Sequence, residues 1–147
     1  MPPLNLGQLL VQIQYPGMTW VESQIAKAWI NRHGAEYDAI DFNVRIGEGV
    51  DPGEEYTAEV RRMATLLSQK RADITARVGD LHTLIEVKIR IGFPVIGQLI
   101  GYRELYKRIH PEAAEIKLLT IGRDVVPDAA DIIQDQGIAI ELFPRES

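Results

Sequence analysis

Two alternating segments joined by a tight turn constrain the fold of this chain more than any other feature. Apolar residues fall on one face at every second position of Arg71–Val78, and Leu81–Ile91 alternates in the same way. Gly79-Asp80, which separates them, is a typical two-residue hairpin turn. Because the turn sets the register of both strands, the pattern predicts an antiparallel hairpin in the middle of the chain.

Two carboxylates and a lysine meet on this predicted hairpin. Asp73 and Glu86 lie at equal distances from the turn, so they face each other, and the two-residue period puts Glu86 and Lys88 on one face. Adjacent carboxylates repel unless a cation neutralises them, and Mg²⁺ prefers carboxylate oxygen. With a lysine that can orient a metal-bound water, the group is typical of a metal-dependent phosphodiesterase. The alternative is a cross-strand ion pair on an exposed face.

The remaining pattern predicts an α/β chain with a mixed sheet covered by helices on both sides. Thr19 opens a helix with a capping box, and Gly34 closes it. Residues 4–14 fit either a short helix or an edge strand. Further helices are expected at 54–69, 94–110 and 127–136, and further strands at 37–46, 116–121 and 138–143.

Composition narrows the function classes. A single domain over residues 1–147 is expected, and the absence of cysteine excludes disulfide scaffolds, thiol nucleophiles and zinc ribbons. No apolar run or leader indicates a membrane or an export route, so we expect a cytoplasmic protein, in the host cytoplasm if the chain is viral. Residues 61–117 carry a net charge of +5, against −6 before them and −4 after them. This basic middle suits a polyanion, or is simply a solvated surface.

The residues of the hairpin resemble a known motif. Asp73, twelve residues and then Glu86-Val87-Lys88 is similar to the core of the PD-(D/E)xK nuclease superfamily. The order of elements from Thr19 to Leu142 also resembles that fold. The resemblance implies a restriction-endonuclease-like core of α-β-β-β-α-β order, followed here by a C-terminal helix and strand. Ala72 stands where many members have proline.

The resemblance assigns further residues to the site. Glu22 matches the acid that the family carries on its first helix, although it also completes the capping box with Thr19. Gln98 and Tyr102 share a helix face and resemble the QxxxY element of the RecB-type branch. The alternatives are an ordinary polar helix residue and a core tyrosine. The three histidines lack metal-binding spacing and are expected to be structural.

Taken as a whole, the resemblance implies a Mg²⁺-dependent DNA nuclease that releases 5′-phosphates, with Mn²⁺ as a substitute metal. Asp73, Glu86, the Val87 carbonyl and Glu22 are expected to serve the metal, and Lys88 the attacking water. Recognition of DNA structure or ends, in recombination, repair, replication or phage DNA metabolism, and a homodimer are also expected. The alternatives are a non-catalytic binding or assembly module and another phosphate-ester hydrolase. A basic cluster that includes Lys70 precedes the first hairpin strand, and the predicted phosphate contacts are Arg71, Arg90, Arg103 and Lys107.

Overall fold

The computed structural model describes residues 5–145 as helices around one mixed five-stranded sheet, in the order β1-β2-β3-β4-β5. β1 pairs antiparallel with β2, and β2 pairs antiparallel with β3. β3 pairs parallel with β4, and β4 pairs parallel with β5. The predicted α/β class and order of elements are confirmed. The strands are β1 (Ala39–Arg45), β2 (Arg71–Val78), β3 (Leu81–Ile91), β4 (Glu115–Val125) and β5 (Ile138–Leu142), and the α-helices are α1 (Leu6–Val11), α2 (Trp20–His33), α3 (Ala58–Ser68), α4 (Pro94–Ile109) and α5 (Pro127–Asp135).

The hairpin of β2 and β3 forms in the predicted register. Val78 pairs with Leu81 across the turn, and Ile74 pairs with Ile85. Gly79 has a φ of 56°, the left-handed conformation that two-residue hairpin turns require and that glycine adopts without strain. The turn residue and the alternation therefore agree on one register.

Two apolar clusters hold the helices on opposite faces of the sheet. Ile25 and Trp29 of α2 pack with Ile85 on one face. Leu99 of α4 and Ile133 of α5 pack on the other face. All five side chains are fully buried, and each such burial stabilises the fold by roughly 1.5–3 kcal/mol. The sheet is thus covered on both sides, as its pattern predicts.

Residues Leu6–Val11 are helical, which decides between the two alternatives for residues 4–14. α1 covers six residues, and Leu4 lies outside the described residues. Gly34 caps α2 as expected but keeps a right-handed φ of −56°. A Cβ at Gly34 would lie 2.7 Å from a methyl group of Leu6, so the absent side chain is what lets α1 approach.

Several predicted boundaries are wrong. The strand expected at 37–46 begins at Ala39, because Gly34–Glu36 form a 3₁₀ turn first. The helix expected at 54–69 begins at Ala58, where Thr57 Oγ1 accepts from the Val60 amide. The strand expected at 116–121 extends over Glu115–Val125, because β3 pairs with it from Glu115 to Val125, whereas β5 pairs with it only over Leu118–Gly122.

α3 leaves part of its apolar stripe uncovered. Val60 and Met63, which lie at helical spacing, are exposed. The helix follows a long excursion after β1 and rejoins the sheet at Lys70, whose carbonyl accepts from the Ile46 amide. Within residues 5–145, no helix is long and apolar enough to cross a membrane.

Candidate functional site

β2 and β3 separate where their acidic residues lie. Their backbone pairing reaches Ile74 and Ile85 and goes no further towards the open end of the hairpin. Beyond this point β2 pairs with β1, as Ala72 does with Val44. β3 stays paired with β4. Asp73 and Glu86 therefore stand opposite each other at a fork in the sheet, as the hairpin register predicts.

Side chains take over the pairing at this fork. The Asp73 amide donates to Glu86 Oε1 at 3.3 Å, and the Val87 amide donates to Asp73 Oδ2 at 2.8 Å. Thr120 on β4, which is fully buried, donates its hydroxyl to the Glu86 carbonyl at 3.1 Å. The two acids are thus held by hydrogen bonds to backbone groups rather than free to turn to solvent.

Burial makes this pair costly to ionise. Glu86 is 3% exposed, and burial, followed by the charge of Asp73, raises its pKa to about 8. Burial also raises the pKa of Asp73, against the lowering effect of its hydrogen bond from Val87. The alternative of an exposed cross-strand ion pair is therefore wrong. Near neutral pH the protein alone holds a proton between these two carboxyl groups.

Lys88 places a positive charge beside the acidic pair. Its Nζ lies 3.8 Å from Glu86 Oε2, and its side chain is 31% exposed. One lysine at this distance lowers the pKa of both acids but does not offset their burial. The ammonium group therefore faces the acids and is also open to solvent.

Glu22 makes the capping box of α2. Its carboxylate accepts from the Thr19 amide at 2.8 Å, while Thr19 Oγ1 accepts from the Glu22 amide at 3.2 Å. Its charge still reaches Asp73, whose pKa it raises. Across residues 5–145, no three acidic or histidine side chains are grouped closely enough to hold a metal together. The capping reading of Glu22 is confirmed.

Gln98 and Tyr102 of α4 line a cavity of about 350 Å³ together with Lys70. The Gln98 carbonyl oxygen is buried and has no hydrogen-bond partner in the structure. Burial and then the charges of Glu86 and Asp73 raise the pKa of Tyr102 to about 12, so its hydroxyl stays protonated. Tyr102 therefore lies within electrostatic reach of the acidic pair, and Gln98 lines the same cavity as Tyr102. Lys70 joins them, although its sequence position placed it only within a basic cluster.

The other predicted phosphate contacts lie further out on the surface. Arg90 is 4.0 Å from Asp124, and Arg103 and Lys107 lie 3.2 and 3.3 Å from Glu104. Arg71, half-buried, pairs with Arg45 of β1. Arg90, Arg103 and Lys107 are only weakly paired and remain available to a polyanion.

The histidines take structural positions, as expected. His82 is buried and hydrogen-bonds Tyr106, whose ring stacks on His110. His33 lies 2.7 Å from Glu36 and 2.9 Å from Glu141. Both carboxylates raise the pKa of His33.

The donor set at the fork fits a small divalent cation. When both Asp73 and Glu86 are ionised, the single charge of Lys88 leaves a net negative charge that a hard cation compensates. N–H and C=O groups of one residue in a strand point to the same side, so the Val87 carbonyl faces the fork with its amide. Two carboxylates and one carbonyl match what Mg²⁺ accepts from a protein, the remaining ligands being water.

Comparison with known proteins supports the fold. No family model matches the chain, and no curated protein matches it. Among solved structures, it is similar to the crystal structure of a repair endonuclease from Pyrococcus abyssi, with 12% sequence identity and a TM-score of 0.53. The match covers 90% of this chain and 50% of the endonuclease, so the chain spans about half the length of that protein. The fold is α/β and restriction-endonuclease-like.

Proposed function

We propose that this protein is a metal-dependent nuclease of the PD-(D/E)xK type that hydrolyses phosphodiester bonds in DNA. The observation that carries the proposal is the fork, where the buried Glu86, the half-buried Asp73 and Lys88 converge within hydrogen-bond or ion-pair reach. The likeness to a repair endonuclease adds support at the level of the fold.

The residues of the fork would divide the work as follows. Asp73, Glu86 and the Val87 carbonyl would hold Mg²⁺, or Mn²⁺ in its place, and Glu22 would act through a water. When bound, the metal polarises the phosphate and lowers the pKa of a coordinated water. Lys88 positions or activates the attacking water, because its ammonium group borders the same carboxylates.

Residues of α4 support the substrate in this proposal. Tyr102 remains a hydrogen-bond donor at neutral pH, and the unpartnered oxygen of Gln98 accepts one further bond. Lys70 offers a positive charge in the same cavity. Arg71, Arg90, Arg103 and Lys107 hold the phosphates on either side. Cleavage leaves a 5′-phosphate on the product. The protein acts in DNA metabolism as a homodimer, and its sedimentation in solution tests whether it is a dimer.

Cleavage of DNA tests the proposal. Labelled single-stranded, duplex, flapped and four-way DNA are incubated with Mg²⁺, Mn²⁺ or EDTA. Cutting is expected only with metal, and Asp73→Asn and Lys88→Gln should each reduce it at least 100-fold, the scale of losing a metal ligand or a general base. Asp131→Asn and Lys117→Gln, exposed changes on α5 and at the far end of β4, serve as controls.

Three results would contradict the proposal. They are no cutting of any substrate, cutting in EDTA, and cutting that survives both substitutions in the fork. Binding of DNA without cutting would instead favour the alternative of a non-catalytic binding module on the same fold.

A further inference from the structure

A groove on the α2 side of the molecule is unused by the proposed chemistry. It has a volume of about 590 Å³, and Trp20 at the start of α2 lines it together with Arg32, Arg123 and Arg145. An adjoining groove of about 380 Å³ shares Trp20, Arg123 and Arg145 and reaches Ile89 of β3. The Trp20 indole therefore borders both. We call these two grooves together the Trp20 groove.

Trp20 has no role in the core that explains its size. Its side chain is 58% exposed, whereas Trp29, on the same helix, is 1% exposed. α2 is capped by Thr19 and Glu22, so the helix does not depend on the indole. An exposed tryptophan offers a large flat apolar surface, which suits stacking by an aromatic ring.

The described lining of the Trp20 groove is positively charged. No carboxylate lines it among residues 5–145. Arg32 is committed, since it pairs with Glu141 at 2.7 Å and lies over the Phe143 ring. Arg123 donates to the Phe143 carbonyl at 3.3 Å, and the ion pairs found in the described part of the chain do not include it. An arginine held in place beside an indole is complementary to a phosphate next to a base.

The Trp20 groove lies near the fork but on the other face of the sheet. Lys88 pairs with Gly122 of β4, so the backbone of Arg123, the next residue of β4, lies roughly 6 Å from that of Lys88. Because successive side chains of a strand alternate between faces, Arg123 projects on the same side as Ile89 and away from Lys88. Trp20 is two residues from Glu22, whose charge reaches Asp73. A strand of DNA that leaves the fork and passes around the end of the β-sheet reaches the Trp20 groove next.

We propose that the Trp20 groove binds an unpaired segment of DNA, with a base stacked on Trp20 and its phosphates held by Arg123 and Arg145. This inference rests on the proposed function and makes it more specific. The substrate then carries a single-stranded end or flap beside the scissile bond. Duplex DNA keeps its bases stacked on each other and offers none to the indole, so single strands bind more tightly.

Binding without cleavage tests this inference. The protein in EDTA is titrated with an oligothymidylate of about twelve nucleotides. A duplex of the same length and an abasic strand with the same phosphates are the comparisons. Tryptophan emission is followed, and the oligothymidylate alone should quench it, because Trp20 is the exposed indole. Trp20→Ala should remove the quenching and weaken binding about 5- to 100-fold, whereas Trp20→Tyr should restore most of the affinity.

The arginines have a separate signature. Arg123→Ala and Arg145→Ala should each lower the slope of log K against log salt by about 0.7, the value for one phosphate contact on a single strand. Lys117→Ala, at the opposite end of β4, should leave the slope unchanged.

Two outcomes would overturn the inference. One is abasic strand binding as tightly as oligothymidylate. The other is unchanged affinity in Trp20→Ala and Arg145→Ala, provided that circular dichroism shows both variants to be folded. Failure of the oligothymidylate to quench Trp20, because a second copy of the chain covers it, would count as the same outcome. Neither outcome bears on cleavage, which is measured with metal. Quenching by the oligothymidylate without cleavage of any DNA would contradict the proposed nuclease activity but would still support DNA binding in the Trp20 groove.

Discussion

Asp73 and Glu86 serve at once as the acidic pair and as the link between two diverging strands. The Asp73 amide donates to Glu86 Oε1 at 3.3 Å, and the amide that follows Glu86 donates to Asp73 Oδ2 at 2.8 Å. Truncation of either residue removes a charge and a strand contact together. Amide replacements keep an acceptor oxygen in place, so they separate the two roles.

Stability of the protein without metal should fall as pH rises. The pKa of Glu86 is about 8 in the folded chain against 4.5 ordinarily, so the folded state holds the extra proton between these values. Stability is therefore greatest below about pH 4.5 for this group and is lost through about pH 8. Glu86→Gln should raise the free energy of unfolding at pH 8 by about 2–4 kcal/mol.

Denaturant unfolding in EDTA over this pH range measures the effect. The Glu86→Gln profile should be flatter than that of the wild type, while the exposed change Glu59→Gln should keep the wild-type slope. Identical slopes for all three proteins would show that Glu86 does not carry the proton.

Mg²⁺ should stabilise the folded chain and release a proton on binding. The cation compensates the charge at the fork, and a ligand at 100 times its Kd adds about 2.7 kcal/mol. Asp73→Asn should lose this response and, in EDTA, be at least as stable as the wild type. The melting temperature of each protein, measured with and without Mg²⁺, tests this expectation, and Asp131→Asn is the control. An Mg²⁺ shift that persists in Asp73→Asn would locate the metal elsewhere.

Two substitutions of Glu22 should separate its structural role in the helix cap from its electrostatic role at the site. Glu22→Gln preserves an acceptor for the Thr19 amide, so stability should stay within about 0.5 kcal/mol of the wild type. Glu22→Ala removes this bond and should cost about 1 kcal/mol. If Glu22 also serves the metal through a water, Glu22→Gln should slow cleavage about 10- to 100-fold at normal stability. Normal cleavage by Glu22→Gln would restrict this residue to the cap.

Tyr102→Phe should affect cleavage rather than folding. Its protonated hydroxyl can donate to a charged oxygen, a bond whose loss corresponds to about 10- to 100-fold in rate. Tyr106→Phe, one turn further along α4, is the matched control. Its hydroxyl bonds the buried His82, so its removal should cost about 1 kcal/mol of stability and leave cleavage near normal. Reversed effects of the two changes would remove Tyr102 from the site.

The hairpin was predictable because local patterns and long-range pairing agree there. Alternation chose the faces of β2 and β3, and Gly79 set the turn, so the opposition of Asp73 and Glu86 followed by counting. The length of β4 was not predictable in this way. Its last residues include the polar Arg123 and Asp124, and this end stays extended because β3 pairs with it.

The surroundings of the acids depend on contacts between distant segments. Lys70, which precedes β2, lines one cavity with Gln98 and Tyr102 of α4, although 27 residues separate Lys70 from Gln98 in the chain. Trp20 meets Arg123 and Arg145 in the same manner. Residue type and spacing carry no signal for such meetings. The exposure of Val60 and Met63 was likewise hidden, since an amphipathic pattern does not reveal whether a partner covers it.

The fork lies at the open end of the hairpin, well away from its turn. Residues added in equal number to both strands at the turn would lengthen the tip and leave Asp73 opposite Glu86, still bonded as they are now. One residue added to a single strand would move Glu86 out of register. The interval of twelve residues between the acids therefore measures how far this hairpin protrudes. Distant relatives are better sought by the symmetry of the two acids about their turn than by any fixed spacing.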